Sequence, residues 1–346
     1  MIEFSSLGMP VNIAIFAAAA IAVWIAGTKI AFYADQIAQR TGLGEALMGL
    51  FLLAFVTSLP EIATSFTAAR IGDAPLAVNN LLGSIAMQVA VLALADLAIH
   101  KRALTSVVPD PAVMLQGALN ICLLAFVAIA VLSGDVSILG AGAWTWVLFS
   151  AAVFSFIKLT EAEGRQPWIA DLDEPMQTHS KRAQSEDGNF ILAIKTIASA
   201  ATILIAGYVV AVSGEALAEQ SGLGSSFVGV ALVAIATSLP EASTVFASMR
   251  RGLYTMAISD ILGTNILNVA LLFGVDVIAT GDPVLTRVGN FAAIGAMLGV
   301  AVTGIFLMGL AERRDRTIWR MGVDSMLVLA VYLGGLVLLY SMRGTP

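Results

Sequence analysis

The chain has 346 residues, of which 58% are hydrophobic and only 12% are charged, and its mean hydropathy is +0.90. This composition excludes an ordinary soluble domain and indicates a polytopic membrane protein. The net charge of −6 gives no indication of a nucleic-acid partner, and the single cysteine, Cys122, excludes an intrachain disulfide.

Ten apolar segments follow one another along the chain, each long enough to cross a bilayer of about 30 Å. Most connections between them are short and carry Gly, Pro or charged residues. The exception is the polar stretch 161–189, which we predict to be a linker between a first half, 1–160, and a second half, 190–346. The predicted spans are 9–34, 43–70, 74–99, 111–133, 139–160, 190–213, 223–250, 255–278, 289–310 and 323–342.

The two halves contain copies of one sequence. A shift of 180 residues aligns 41–96 with 221–276 without a gap, and about 22 of the 56 aligned positions are identical. Because each half has five spans, an odd number, the second half must enter the membrane from the opposite side. The sequence therefore predicts an all-α polytopic membrane protein of ten transmembrane helices in two inverted five-helix repeats. Secondary transporters use this architecture to place their substrate at the bilayer midplane.

The distribution of Lys and Arg predicts the orientation of these spans. When the loops alternate between two sides, fifteen of the 18 basic residues fall on one side and only Arg70, Arg287 and Arg343 on the other. In membrane proteins the excess of basic residues marks the cytoplasmic loops. We therefore expect the linker 161–189 to be cytoplasmic and both termini to lie outside.

The segments 57–61 and 237–241 both read Thr-Ser-Leu-Pro-Glu, in the middle of an apolar span. A carboxylate at this depth is costly, so Glu61 and Glu241 are expected to face a protein or water cavity. The proline removes one backbone donor, and we expect this to free carbonyl groups near Ala54 and Phe55, and near Ala234 and Ile235, as cation ligands. A broken helix that carries a carboxylate and hydroxyls, present twice, predicts a cation site.

A second polar cluster lies on the following span of each half. The segments 79–88 and 259–268 carry hydroxyls, amides and, at Asp260, a carboxylate. These hard oxygen ligands suit Ca²⁺ and Na⁺, and the absence of His and Cys from both segments argues against a site for a soft metal. We predict that the second cluster completes the cation site.

The duplicated Thr-Ser-Leu-Pro-Glu motif, followed in each half by a Gly-Ser or Gly-Thr helix, resembles the α-repeats of the cation/calcium exchanger superfamily, which includes Na⁺/Ca²⁺ exchangers. The resemblance covers both repeats and the whole plan of spans. It implies ten helices in two inverted halves, and a site where the two glutamates and neighbouring polar groups bind Ca²⁺ and Na⁺. By position, the implied ligands are Glu61, Glu241, Thr57, Ser58, Thr237, Ser238, Ser84, Thr264 and Asn265.

One position departs from the pattern of the superfamily. Its members commonly carry Asn or Asp directly after the Gly-Ser of the first repeat, where this chain has Ile85. An alkyl side chain cannot coordinate a cation, so we expect the first half to lack one ligand and the ion preference or the coupling ion to be altered. Asp260, which stands where the first repeat has Asn80, and Gln88, one turn beyond Ile85, are the residues that could compensate.

Together these features predict a secondary active antiporter, not an enzyme, that exchanges Ca²⁺ for Na⁺ by alternating access. A Ca²⁺/H⁺ or monovalent cation/H⁺ antiporter is the alternative, because a glutamate can carry a proton as well as bind Na⁺. The expected partners are inorganic cations and the lipid bilayer, with no cofactor and no nucleic acid. No nucleotide is expected either, since the chain has no Gly-rich Lys-Ser/Thr phosphate loop. The expected location is a prokaryotic inner (plasma) membrane.

Two pairs of matched residues are expected to be structural. Asp96 and Asp276 end their spans, where we expect them to cap the chain rather than to carry ions. Gly83 and Gly263 are expected to let neighbouring helices approach closely, as small residues do in membrane bundles.

Overall fold

The computed structural model of the protein describes residues 7–99, 102–108, 110–162, 165, 188–220, 237–318 and 321–342, and most of them are helical. The helices are α1 (Met9–Thr41), α2 (Glu45–Leu47), α3 (Ala54–Thr57), α4 (Leu59–Arg70), α5 (Ala74–Ala95), α6 (Leu104–Val107), α7 (Ala112–Ser133), α8 (Ala143–Ala162), α9 (Asn189–Gln220), α10 (Leu239–Arg250), α11 (Tyr254–Ile278), α12 (Gly289–Glu312) and α13 (Val323–Ser341). A π-helix, Met48–Leu53, joins α2 to α3, and 3₁₀ turns lie at Asp96–Ile99 and Val284–Thr286.

Within the described ranges, eight helices are long and apolar enough to cross a membrane, and a ninth span is bent. The bent span comprises Glu45–Thr57 and Leu59–Arg70, which meet at an angle of 46°. These nine correspond to nine of the ten predicted spans. The tenth, 223–250, lies partly outside the described residues: only its second part, α10, is described, so the count of ten stays a prediction.

Local sequence determines where the helices begin and end. α1 continues beyond the predicted end at 34 as far as Thr41, where Gly42 adopts a φ of +73° and donates its N–H to the carbonyl of Ala38. This is the left-handed C-cap for which glycine is suited. α5 begins after Asp73, whose carboxylate accepts a hydrogen bond from the backbone N–H of Leu76.

Each half also contains a short β-hairpin between its last two long helices. The strands are β1 (Ser137–Ile138) paired with β2 (Ala141–Gly142), and β3 (Thr317–Ile318) paired with β4 (Met321–Gly322). A buried acid from the other half holds each hairpin. Asp276 accepts the N–H of Gly142 at 2.6 Å, and Asp96 accepts the N–H of Gly322 at 2.6 Å. Both acids are structural caps, as predicted.

Contacts between connecting segments show which of them share a surface of the molecule. Arg251, after α10, forms an ion pair with Asp35 near the end of α1 at 2.9 Å. Arg287, before α12, donates to the carbonyl of Gly72, before α5, at 3.0 Å. Each contact joins two segments that the distribution of basic residues places on the same side, which agrees with the predicted alternation of spans.

Helix α11 occupies the centre of the bundle, where it packs against α5, α7, α8 and the π-helix. Glycines allow its close approach to the π-helix: a Cβ atom at Gly49 would lie 2.4 Å from the carbonyl oxygen of Met256, and one at Gly263 would lie 2.9 Å from the Cα of Leu50. The close approach predicted at Gly263 is therefore confirmed. It brings polar residues of α11, from the second half, next to the broken span of the first half.

Candidate cation-binding site

Pro60 breaks the helix of the first repeat, and two hydroxyl groups donate hydrogen bonds to the carbonyls just before the break. Pro60 has no N–H to continue the helical ladder, so α3 ends at Thr57 and α4 begins at Leu59. The hydroxyl of Thr57 donates to the carbonyl of Leu53 at 2.9 Å, and that of Ser58 donates to the carbonyl of Ala54 at 2.7 Å. The expectation that the Ala54 carbonyl is free was therefore wrong, because a buried carbonyl takes whatever donor is within reach. The carbonyls near 234 lie outside the described residues.

Each glutamate stands in the first turn of the helix that follows the break. Glu61 is in the first turn of α4 and Glu241 in the first turn of α10, and each helix has a proline at its start. Both side chains are fully buried, with 0% exposure. The amino end of a helix carries partial positive charge, which favours a carboxylate there over one in mid-helix. The sequence therefore places two buried carboxyl groups at matching points of the two halves.

Glu61 is surrounded by polar groups from both halves. Gln88 of α5 donates its Nε2 to Oε1 of Glu61 at 3.2 Å. Ser84 of α5 and Asn268 of α11 lie beside the same carboxylate. The other oxygen, Oε2, receives no hydrogen bond from the described part of the chain. Glu61 is therefore only partly satisfied by protein donors, and Asn268 links it to the second half.

The carboxylate of Glu241 receives even fewer hydrogen bonds than that of Glu61. Neither of its carboxylate oxygens accepts a hydrogen bond of normal geometry from residues that the structure describes. Glu61 and Asp260 are close enough for their charges to repel that of Glu241, and Thr57 of the first half lies next to it. The carboxylates of Glu241 and Glu61 are therefore near enough to interact, and each lies beside a polar residue of the opposite half.

Asp260 of α11 is a third buried acid at this site. Its Oδ2 accepts a short hydrogen bond from the hydroxyl of Thr244, on α10, and Thr57 lies beside it. Its Oδ1 has no partner among residues 7–99, 102–108, 110–162, 165, 188–220, 237–318 and 321–342. In the same ranges, no three His, Cys, Asp or Glu side chains surround a common point. A cation here would therefore combine carboxylates with neutral oxygens.

The other predicted ligands are all in the interior of the protein. Buried side chains occur at Thr57, Ser58, Thr237, Ser238, Ser84, Thr264 and Asn265. The hydroxyls of Ser238 and Thr264 and both polar atoms of Asn265 have no hydrogen-bond partner in the portion of the chain described here. Several oxygens are therefore available to a cation without breaking an existing bond.

Two residues of the site were not assigned as ligands from the sequence: Asn268, and Gln88, which was considered only as a possible compensation. Each lies four residues after a predicted ligand, Ser84 or Thr264, and so returns to the same face of its helix. This matched spacing in the two repeats is the signal that could have identified both.

Ile85 lies on a different face of α5 and belongs to the hydrophobic core. It is fully buried in a cluster with Leu124 and Val127 of α7. A Cβ atom at Gly299, on α12, would be 3.3 Å from its Cγ2. The polar side chain that the first half places beside Glu61 is therefore Gln88, whose amide donates to its carboxylate.

The first long helix of each half crosses the glutamate-bearing helix of the other half at a glycine. A Cβ atom at Gly27 of α1 would lie 3.3 Å from the carbonyl oxygen of Pro240, and one at Gly207 of α9 would lie 2.3 Å from Cγ of Pro60. The two glycines are themselves 180 residues apart. α1 and α9 therefore touch the segments that carry the glutamates, at equivalent points.

Comparison with known sequences identifies relatives over most of the chain. The sequence profile of the family described as "Sodium/calcium exchanger protein", a family of transporters rather than of enzymes, matches residues 11–159 and 191–341. The chain is 26% identical over 309 residues to the inner membrane protein YrbG of Escherichia coli (strain K12), covering 82% of this chain and 90% of that protein. It is 26% identical over 265 residues to the sodium/calcium exchanger MaX1 of Methanosarcina acetivorans, covering 70% and 75%.

Solved structures show the same fold. A structure of the sodium-calcium exchanger NCX_Mj, soaked with 2.5 mM Na⁺ and 0.1 mM Sr²⁺, matches this chain with a TM-score of 0.71. The match covers 95% of this chain and 99% of that chain, at 17% sequence identity. At this identity the likeness establishes the shared architecture of a multi-pass helical membrane protein.

Proposed function

Because the chain belongs to the sodium/calcium exchanger protein family, we propose that it is a secondary active antiporter that exchanges Ca²⁺ for Na⁺. The observation that carries the proposal is the pair of fully buried glutamates, Glu61 and Glu241, at the breaks of two matching spans. Buried carboxylates with unused oxygens are costly in a membrane protein unless a cation or proton neutralises them.

The proposed Ca²⁺ site lies between the two glutamates. Two carboxylates balance the charge of one Ca²⁺, and Ca²⁺ takes six to eight oxygen ligands, which hydroxyls and amides complete. We assign these neutral oxygens to both halves, with Gln88 and Asn268 added to the ligands predicted from the sequence. The full proposed set is Glu61, Glu241, Thr57, Ser58, Thr237, Ser238, Ser84, Thr264, Gln88 and Asn268, and Asp260 and Asn265 stay predicted ligands.

The coupling of the two ion movements follows from the free-energy cost of leaving the two buried carboxylates without a cation. While two negative charges are buried and uncompensated, the rearrangement that moves the site between the two membrane faces is unfavourable. One Ca²⁺ or several Na⁺ neutralise the site and permit the rearrangement, so an ion must return whenever another leaves. This coupling makes the protein an antiporter rather than a channel.

We propose that α1 and α9 provide alternating access. Each crosses the glutamate-bearing helix of the opposite half at a glycine, Gly27 or Gly207, where the missing side chain leaves room for Ser243 or Pro60 of the other helix. α1 and α9 also pack extensively on each other, so they can shift as a pair past the site. Such a shift would open the glutamates to one side while closing them to the other.

The arrangement in the membrane is part of the proposal. The halves 1–160 and 190–346 insert in opposite senses, with the linker 161–189 in the cytoplasm and both termini outside. The membrane is proposed to be the prokaryotic inner (plasma) membrane, as the name of the relative YrbG indicates for that protein.

The decisive experiment is uptake of ⁴⁵Ca²⁺ into proteoliposomes, driven separately by an outward Na⁺ gradient and by an outward proton gradient. Uptake that requires the Na⁺ gradient supports the proposal. Uptake driven by protons alone would establish the alternative Ca²⁺/H⁺ antiporter. Absence of ⁴⁵Ca²⁺ uptake under both gradients, with Na⁺ or K⁺ still moving against protons, would establish the monovalent cation/H⁺ antiporter instead.

A further inference from the structure

An ion pair joins α1 to the end of α10 that lies away from Glu241. Arg251, directly after α10, donates from Nη2 to Oδ2 of Asp35 at 2.9 Å, and its guanidinium lies 4.7 Å from the centre of the Phe32 ring. Gln39, one turn further along α1, donates to the other carboxylate oxygen of Asp35 at 2.7 Å. The side chain of Asp35 is only 6% exposed and that of Arg251 is 22% exposed. Because salt screens a partly buried pair much less than an exposed one, this ion pair is a stronger link than the pairs at the surface.

The ion pair lies two helical turns from the glycine contact between the same helices. Gly27 of α1 lies against Ser243 of α10, and Asp35 and Arg251 each follow eight residues later. Eight helical residues extend about 12 Å, so α1 and α10 run side by side in the same direction between the two contacts. Asp35 moves with α1, whereas Arg251 stays at the end of α10. The shift of α1 along α10 that we propose for alternating access therefore breaks the ion pair.

The ion pair also restrains α9, because α1 and α9 are joined at both ends. Arg40, in the last turn of α1, donates to Oδ1 of Asn189 at the start of α9 at 2.8 Å. At the opposite ends of the two helices, Nδ2 of Asn12 donates to Oε1 of Gln220 at 3.3 Å. These contacts favour a movement of α1 and α9 as one unit, so a link that holds α1 holds both helices.

The repeat does not supply the same link to the other half. The residue equivalent to Arg251, 180 positions earlier, is Ile71, an uncharged side chain that is 74% exposed at the end of α4. The distribution of basic residues predicts that Arg251 lies on the cytoplasmic side and Ile71 on the outer side. The two faces of the protein therefore differ in what holds the pair α1 and α9 in place.

We propose that the Asp35–Arg251 ion pair is a latch that favours the state in which the glutamates are open to the outer side. It joins α1 to α10 on the cytoplasmic side, so it closes the approach to Glu241 between these two helices on that side. The inference rests on the proposed function and adds an asymmetry to it. The apparent affinity for an ion falls with the fraction of protein in the competent state, so the latch strengthens Ca²⁺ binding from outside and weakens it from the cytoplasm.

The variants that test the latch are Asp35→Asn and Arg251→Gln, alone and combined. Each removes one charge and keeps a polar side chain of similar size at Asp35 or a shorter one at Arg251. Glu161→Gln is the matched control, because it breaks the exposed ion pair of Glu161 with Lys158, which lies within α8 and joins no two helices. Uptake of ⁴⁵Ca²⁺ is measured in right-side-out and in everted membrane vesicles from bacteria that express each protein. The half-saturating Ca²⁺ concentrations then report the apparent affinity at the outer and at the cytoplasmic face.

We expect each single variant to raise the half-saturating concentration in right-side-out vesicles and to lower it in everted vesicles. The ratio of the two should change at least about fivefold, since even exposed ion pairs reach that value. The combined variant should change the ratio no further, because both residues act through one contact. Arg251→Lys, which keeps the charge but loses the planar group over Phe32, should give an intermediate change, and Glu161→Gln should keep the wild-type ratio.

A wild-type ratio in the single variants and in Arg251→Lys would overturn the latch. A change in the opposite direction, or effects that multiply in the combined variant, would overturn it as well. Absence of ⁴⁵Ca²⁺ uptake by wild type in both kinds of vesicle would instead overturn the proposed function, so the two failures are distinguishable.

Discussion

The contact between α9 and the start of α4 gives the sharpest test of the proposed movement. We predict that Gly207→Ala impairs transport. A Cβ atom at position 207 would lie 2.3 Å from Cγ and 2.8 Å from Cβ of Pro60. The shorter distance is about 1.2 Å less than the roughly 3.5 Å at which carbon atoms begin to be in ordinary contact. The proline ring cannot rotate away, so either α9 or the first turn of α4 must move.

The magnitude of the effect follows from this overlap. Overpacking in a close-packed interior costs about 1–3 kcal/mol, which corresponds to a factor of about 5 to 150 in a rate or an equilibrium constant. Because Glu61 directly follows Pro60, we expect the strain to displace the carboxylate and also to hinder the passage of α9. The rate of ⁴⁵Ca²⁺ uptake by Gly207→Ala should therefore fall at least about fivefold.

The assay compares initial rates of ⁴⁵Ca²⁺ uptake in proteoliposomes with equal amounts of reconstituted, monodisperse protein. Gly334→Ala, in α13, is the matched control, because a Cβ atom there meets no other atom within 4 Å. Gly27→Ala should give an intermediate loss: the hydroxyl of Ser243, 1.6 Å from the new Cβ position, can rotate, but the Cβ of Ser243 is only 2.9 Å away. Uptake by Gly207→Ala at the rate of Gly334→Ala would refute the reasoning.

Three further predictions concern the site and its support. Glu61→Gln and Glu241→Gln should each abolish exchange while the proteins remain folded, since the amide keeps the shape and removes the charge; wild-type flux in either would contradict the assignment. Asn268→Ala should weaken Ca²⁺ binding about tenfold in calorimetry, because the loss of one polar ligand costs about 1.5 kcal/mol; unchanged affinity would remove it from the site. Asp276→Ala should lower thermal stability by about 2–3 kcal/mol, because it leaves the N–H of Gly142 and other donors unpaired. A melting temperature equal to that of wild type would show that this cap is dispensable.

The sequence predicts most of the fold because its signals are local or repeated. The length of each apolar segment is sufficient to identify a span, and the cost of a carboxylate in such a segment identifies Glu61 and Glu241 as functional. The break was predictable from Pro60. The first half of the span 223–250 lies outside the described residues, so the matching break in the second repeat is described only from Thr237 onward.

The ligands beyond the glutamates were harder to predict, because they depend on which way each helix faces. At about 100° per residue, Ile85 is turned about 100° from Ser84 but only about 60° from Gln88, so the helix period alone does not separate ligand from core. Only the packing of α7 and α12 shows that Ile85 lies in the core. A motif compared position by position led to Ile85 as a missing ligand. The helical spacing led to Gln88 only as a residue that could compensate for Ile85.

The order of residues alone determined that this chain crosses the membrane many times, that it contains two related halves, and that each half has a glutamate beside a proline. These are properties of composition and spacing, which do not depend on how the helices pack. Only the tertiary structure decided which oxygens are unused. Glu61 accepts a hydrogen bond from Gln88, while Glu241 and Asp260 keep oxygens without partners among the described residues. Whether a buried polar atom is satisfied depends on its neighbours in space, and at this site these come from both halves of the chain.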